Sequence, residues 1–161
     1  EGLALRAAKM ILESFEASID GAEWARDEMA VAATIAGVAF SQTRTTAAHA
    51  ISFPITSFYN VEHGLACART LPSLIRWTYK FVSKKMDDFA SYLGLKDVGE
   101  LARKVEQLME YSGFSRRLRD YGVKENELEE IARVSMEANI INLTPGKPSY
   151  DDVLRILKEI F

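Results

Sequence analysis

His49 and His63 are the only histidines in the chain. Both fall in one stretch, Ala47 to Gly64, among apolar or small residues. That setting predicts at least partial burial, and a buried imidazole needs a partner for each ring nitrogen. A metal ion is one such partner. Two imidazoles on one ion would bring a Lewis acid of the zinc or iron kind into the protein. The spacing sets a condition. The two residues are 14 positions apart, which on one unbroken helix is roughly 21 Å. The chain must turn between them for both to reach one ion, and Pro54 and the segment Asn60 to Gly64 offer places to do so. Two histidines also leave an enzyme metal site short, since such sites usually take three or four protein ligands. From residue types and spacing alone, two locally satisfied structural histidines are the stronger reading and a shared ion the weaker one.

The elements that must carry this pair read as helices. Leu5, Ala8, Ile11, Leu12, Phe15 and Ile19 recur at helical spacing, which predicts an amphipathic helix over about 3–19 that stops at Asp20-Gly21. A second helix is expected over about 22–40. Its half from Val31 to Phe40 carries no charge, so it is expected to be buried all round at the centre of the domain. Ala30, Ala33, Ala36 and Gly37 would let neighbours approach closely. Residues 41–46 read as a polar connector. Leu74, Trp77, Phe81, Phe89, Tyr92 and Leu93 predict a long helix, loosened near Ser83-Lys84-Lys85 and stopped by Gly94. Asp97 with Glu100 forms a capping box for a helix presenting Val98, Leu101, Val105 and Leu108. A short turn is expected over Ser115 to Tyr121. Asn126 with Glu129 suggests a further cap, before a helix facing inward through Leu128, Ile131, Ala132 and Ser135. The loop Asn142 to Pro148 is broken by two prolines and a glycine. Ser149 with Asp152 caps a last helix with Val153, Ile156, Leu157 and Ile160 inward. No strand and no repeat is evident. The expectation is one all-α domain over 1–161, a bundle of roughly seven to nine helices.

Bulk properties narrow the function classes. The chain has 161 residues, enough for one real core. A net charge of -3 argues against a nucleic-acid binder, which concentrates basic residues on one face. The one local basic run, Arg116-Arg117-Leu118-Arg119, reads as a solvated helix face. No apolar run approaches the length of a membrane span. Cys67 is the single cysteine, which excludes an intrachain disulfide and suits a reducing, cytoplasmic compartment. It reads as a small buried residue on the helix after His63 rather than a nucleophile. Trp24 and Trp77 read as packing residues.

The stretch from His49 to Pro72 resembles the signature of the iron-containing (group III) alcohol dehydrogenases. That signature has a histidine, a second four residues later, a His-Gly pair ten residues beyond, and an Ala-rich run ending in Leu-Pro. His49, His63, Gly64, Ala66, Ala68, Leu71 and Pro72 match it, as does Pro54. The resemblance extends over nearly the whole chain and implies the family's C-terminal helical domain, of the dehydroquinate synthase-like type. It further implies a divalent metal, Fe2+ or Zn2+, held by one Asp and three His, of which His49 and His63 are two. The other two ligands belong to an Asp-x-x-x-His helix upstream, which this chain does not contain. The family's NAD- or NADP-binding α/β domain is likewise absent from it, and no GxGxxG-like sequence occurs. The chain therefore reads as the metal-binding part of a longer protein, incomplete as a catalyst by itself.

The activity implied is interconversion of a small alcohol with its aldehyde or ketone by hydride transfer to or from NAD(P), with the metal as Lewis acid. The complete enzyme is expected to be a homodimer or larger. One departure is internal: Phe53 stands where the family has its middle histidine. That histidine lines the catalytic cleft and is not a metal ligand. Phenylalanine cannot relay a proton, so substrate class is put in doubt. Phe53 reads as an apolar wall of the substrate pocket or as plain core, and Tyr59 as a second pocket residue. Thr45 and Thr46 would orient His49 through their hydroxyls. The alternatives are a helical interaction module that has kept the fold, or a related metal enzyme such as a glycerol dehydrogenase or dehydroquinate-synthase-like cyclase.

Overall fold

A computed structural model of the chain describes residues 1–114 and 117–161. It contains α1 (Gly2–Ile19), α2 (Glu23–Thr43), α3 (Ala47–Tyr59), α4 (His63–Tyr92), α5 (Val98–Tyr111), α6 (Leu128–Glu137) and α7 (Tyr150–Ile160), with short 3-10 turns at Leu118–Tyr121, Glu125–Glu127 and Asn139–Leu143. The described residues form no strand, as expected for an all-α bundle. Of the turn expected over 115–121, residues 115 and 116 lie outside the described residues, as does the first residue of the basic run.

Local chemistry sets most of the boundaries. Gly21, at φ 93°, closes α1. Its N–H donates to the Ser18 carbonyl, and that of Ala22 reaches back to Ala17, the paired closure that a left-handed residue permits. The Asp97 carboxylate accepts from the Glu100 N–H at the start of α5. Ser149 and Asp152 cap α7 reciprocally, at 3.2 and 3.0 Å. The cap expected from Asn126 and Glu129 is formed two residues earlier. Glu127 accepts from the Lys124 N–H, because a 3-10 turn precedes α6 and shifts the first free N–H groups back. Pro54 is no turn. It is buried inside α3, as Pro72 is inside α4. The reversal between α3 and α4 is made by Asn60 at φ 53°, a conformation asparagine tolerates better than most residues. The expected loosening of the long helix falls at Val82, whose backbone leaves the helical region.

The core lies around α3. Ile51 and Ile55 meet Leu128, Ile131 and Ala132 of α6, Ile141, and Val153 and Leu157 of α7, all essentially inaccessible. The first N–H of α3, on Ala47, donates to the Thr144 hydroxyl, a buried bond of 2.9 Å spanning 97 residues. The loop from Asn142 to Pro148 thus holds the end of α3 nearest His49. Gly146 lies flat on Phe81, where an added Cβ would come within 2.4 Å of the ring.

The α1–α2 hairpin differs from expectation. Only Ala25 and Ala32 of α2 are buried. Val31, Val38 and Phe40 are 49%, 51% and 49% exposed, and Trp24 is 60% exposed. Ala30 and Ala33 are also exposed. The helix packs mainly on α1, so one face is covered and the uncharged remainder is bare. The expected inward stripe of α1, from Ala8 to Ile19, lines an apolar cavity of about 640 Å³ shared with α4 and α5. The residues of α1 that are fully covered are Ala7, Met10 and Ser14. Trp77 does pack, buried against Phe81.

Candidate metal centre

His49 sits in the first turn of α3 and His63 begins α4. The left-handed step at Asn60 folds one helix back on the other, bringing the ring centroids to 5.2 Å at an interplanar angle of 61°. The turn needed to join the two histidines therefore exists, and Asn60 makes it. His49 is half-buried as expected, but His63 is exposed, because its position at the start of α4 leaves one side of the ring uncovered.

Ser52, one turn after His49, orders the pair. Its hydroxyl donates to the His49 carbonyl at 2.8 Å and lies 3.1 Å from His63 Nδ1. The Ser52 hydroxyl thus bridges the start of α3 and the His63 ring, and a hydrogen bond of this kind restricts the orientation of an imidazole. Burial, with His63 beside it, holds His49 below the ordinary histidine range, which keeps its ring neutral and able to ligate near neutral pH. Thr46 touches His49 only through its carbonyl, which accepts the His49 N–H. Among the described residues neither Thr45 nor Thr46 bonds the ring through its hydroxyl.

Phe53 stacks on His63, centroids 6.0 Å apart and nearly parallel. It is 44% exposed, which removes the plain-core reading and leaves an apolar face beside the imidazoles. Tyr59 lies at the far end of α3 and packs against the core. Burial, with Glu127 facing it, raises its phenol above the ordinary range. Phe40 approaches His49 from α2 at 6.5 Å. The 640 Å³ apolar cavity has neither imidazole, nor Phe53 or Tyr59, in its wall.

Two residues of this cluster, Ser52 and Cys67, were not among the expected site residues. Cys67 is half-buried, and its Sγ lies 3.7 Å from His63 Nε2. Burial pushes its thiol up, while Ser52 acts in the opposite direction. Donor atoms of His49, His63 and Cys67 all lie within 4.8 Å of one another. The available signals were helical spacings: Cys67 is four residues after His63, and Ser52 three after His49. The convergent donors fit a divalent transition metal.

All 161 residues match the C-terminal part of the Fe-containing alcohol dehydrogenase family. The chain belongs to that family. Among its relatives is the lactaldehyde reductase of Escherichia coli strain K12, 28% identical over 97% of this chain and 43% of the relative. The aldehyde-alcohol dehydrogenase of Streptococcus pneumoniae serotype 4 is 28% identical over all of this chain and 21% of the relative. The chain thus spans less than half the length of these curated relatives. In structure it is similar to the sulfoacetaldehyde reductase of Bifidobacterium kashiwanohense solved with NAD+, with a TM-score of 0.92 and 28% identity over 99% of this chain and 43% of that one. The seven helices are thus the C-terminal helical fold of an iron-containing alcohol dehydrogenase. Among the described residues no helix is long and apolar enough to cross a membrane.

Proposed function

We propose that the chain is the metal-binding half of an NAD(P)-linked alcohol dehydrogenase that interconverts small alcohols with aldehydes or ketones. The observation that carries this is the meeting of His49 and His63 from two helices, with Ser52 in contact with the His63 ring. A divalent metal held there supplies Lewis acidity toward the substrate oxygen. The chain's own part is to hold the two imidazoles in place. Ser52 contacts the His63 ring at Nδ1, Thr144 anchors the start of α3 beneath His49, and Asn60 sets the angle between the helices. Phe53 screens one face of His63 from water and gives no proton-transfer group there. Its presence favours a substrate whose proton is exchanged elsewhere, by another residue or by solvent. Tyr59 is the less direct pocket residue, since its contacts lie at the core.

The residues present do not build a dinucleotide site: no Gly-rich phosphate loop occurs in the chain. Dinucleotide binding therefore belongs to a separate α/β domain outside residues 1–161, and the chain alone is inactive. The complete enzyme is a cytoplasmic homodimer or larger, acting on small aldehydes of the kind named for its relatives and binding neither nucleic acid nor membrane. The test is aldehyde-dependent oxidation of NAD(P)H by the longer polypeptide that carries this chain. Turnover that His63→Ala removes supports the reading; turnover unaffected by His63→Ala or His49→Ala overturns it.

A further inference from the structure

We propose that Phe40, together with Phe53, forms an aromatic subsite beside the imidazole pair that favours aldehydes whose carbonyl carbon bears a flat apolar group over those bearing a hydroxyl group. The inference rests on the dehydrogenase reading of His49 and His63 and names the substrate class of that site.

Placement carries the argument. Four rings from three helices stand in an unbroken row. Phe40, near the end of α2, lies 6.5 Å from His49, His49 lies 5.2 Å from His63, and His63 lies 6.0 Å from Phe53, centroid to centroid. Each spacing falls within the roughly 4.5–7 Å at which aromatic rings pair. The row begins and ends on a phenylalanine, so an apolar ring flanks each imidazole. His49 and Phe53 are one turn apart on α3, which fixes their relation. Phe40 is brought in from a separate helix and reaches His49 at a tilt of 50°. Both phenylalanines keep about half of their surface open, and His63 is exposed beside them. Open apolar rings gathered at one cluster of polar, chemically competent side chains are the composition of a ligand site rather than of scattered surface residues.

The chemistry of this wall selects the substituent. A benzene ring set against Phe40 or Phe53 gains the offset or edge-to-face contact that such rings prefer. A hydroxyl group in the same place gives up water and meets no partner on either ring. The polar side chains beside the imidazoles are already engaged. Ser52 is sealed from solvent and contacts both the His49 carbonyl and the His63 ring, and Cys67 faces His63. Val38 is as exposed as Phe40 but stands two positions earlier on α2, a rotation of about 200° around the helix, and so belongs to another face.

The test uses the longer polypeptide that carries this chain. kcat/KM is measured with NAD(P)H for benzaldehyde and for glycolaldehyde. The two differ in intrinsic reactivity, which cancels in the change of their ratio on substitution. Phe40→Ala and Phe53→Ala should each lower the benzaldehyde-to-glycolaldehyde ratio by about 2- to 10-fold, the worth of one aromatic pair, mainly through the KM for benzaldehyde. Phe40→Leu, which keeps apolar bulk, should lower it in the same direction, and Val38→Ala should leave it unchanged. Saturation-transfer NMR supplies a readout without turnover. Benzyl alcohol should bind more tightly than ethylene glycol, and each alanine variant should weaken benzyl alcohol by a similar factor. A ratio that neither phenylalanine variant moves overturns the subsite and leaves the dehydrogenase reading standing. Reduction of neither aldehyde overturns both. Benzyl alcohol that fails to bind, or binds both variants as well as the unsubstituted polypeptide, also overturns the subsite, because the two rings are then covered by other parts of the polypeptide.

Discussion

The second half of α2 and the body of α3 are alike on paper. Val31 to Phe40 and Ala47 to Tyr59 are both uncharged apart from His49, and both are rich in small and branched residues. Their fates differ. Ile51, Ser52, Pro54 and Ile55 of α3 are sealed from solvent, whereas Val31, Val38 and Phe40 of α2 are about half exposed. The difference lies in the neighbours. α3 is enclosed by α4, α6 and the turn Asn139–Leu143, while α2 leans mainly on α1. An apolar helix states a demand for burial, and whether that demand is met depends on elements far away in the chain. The enclosed helix is also the one that carries His49, so the chemistry stands on the better-supported of the two.

This contrast can be broken most forcefully at Ile55. Truncating a sealed core side chain leaves a cavity, so Ile55→Ala should cost about 2–5 kcal/mol in denaturant unfolding. A loss under 1 kcal/mol would mean that α3 is not held as described. Gly146→Ala comes next. It meets both a left-handed backbone and the ring of Phe81, and should cost about 1–3 kcal/mol. That would lower the melting temperature by roughly 2–4 °C for each kcal/mol. Thr144→Val removes the acceptor of the buried Ala47 N–H and should cost about 1–2 kcal/mol, while also weakening metal binding by loosening the start of α3. The smallest effect is expected on the other side of the comparison. Val38→Ala in α2 should change stability by less than about 0.5 kcal/mol, and a larger loss would reveal a neighbour covering that face in solution.

The same contrast explains what could be read from the residues in advance. Helix ends at Gly21, Gly94, Asp97 and Ser149 follow from chemistry within three or four positions, and they lie where the pattern puts them. The pairing of His49 with His63 was legible only through the family signature, because their approach depends on the angle set at Asn60, which spacing does not supply. Phe53 was legible as a departure from that signature, and its ring lies against His63. Thr144 was not legible, since its partner lies 97 residues away. Cys67 was legible as a residue of α4, but a reading based on burial alone hid its four-residue relation to His63. The exposure of α2 could not be read at all, because local apolarity is the same whether or not a neighbour arrives.

The central claim is that His49 and His63 act together on one ion, and calorimetric titration of the metal-free longer polypeptide that carries this chain with zinc tests it most directly. The account predicts one equivalent bound near neutral pH, with His49→Ala and His63→Ala each abolishing that binding while far-ultraviolet circular dichroism keeps its helical signal. Zinc binding that persists undiminished after loss of either imidazole would contradict it.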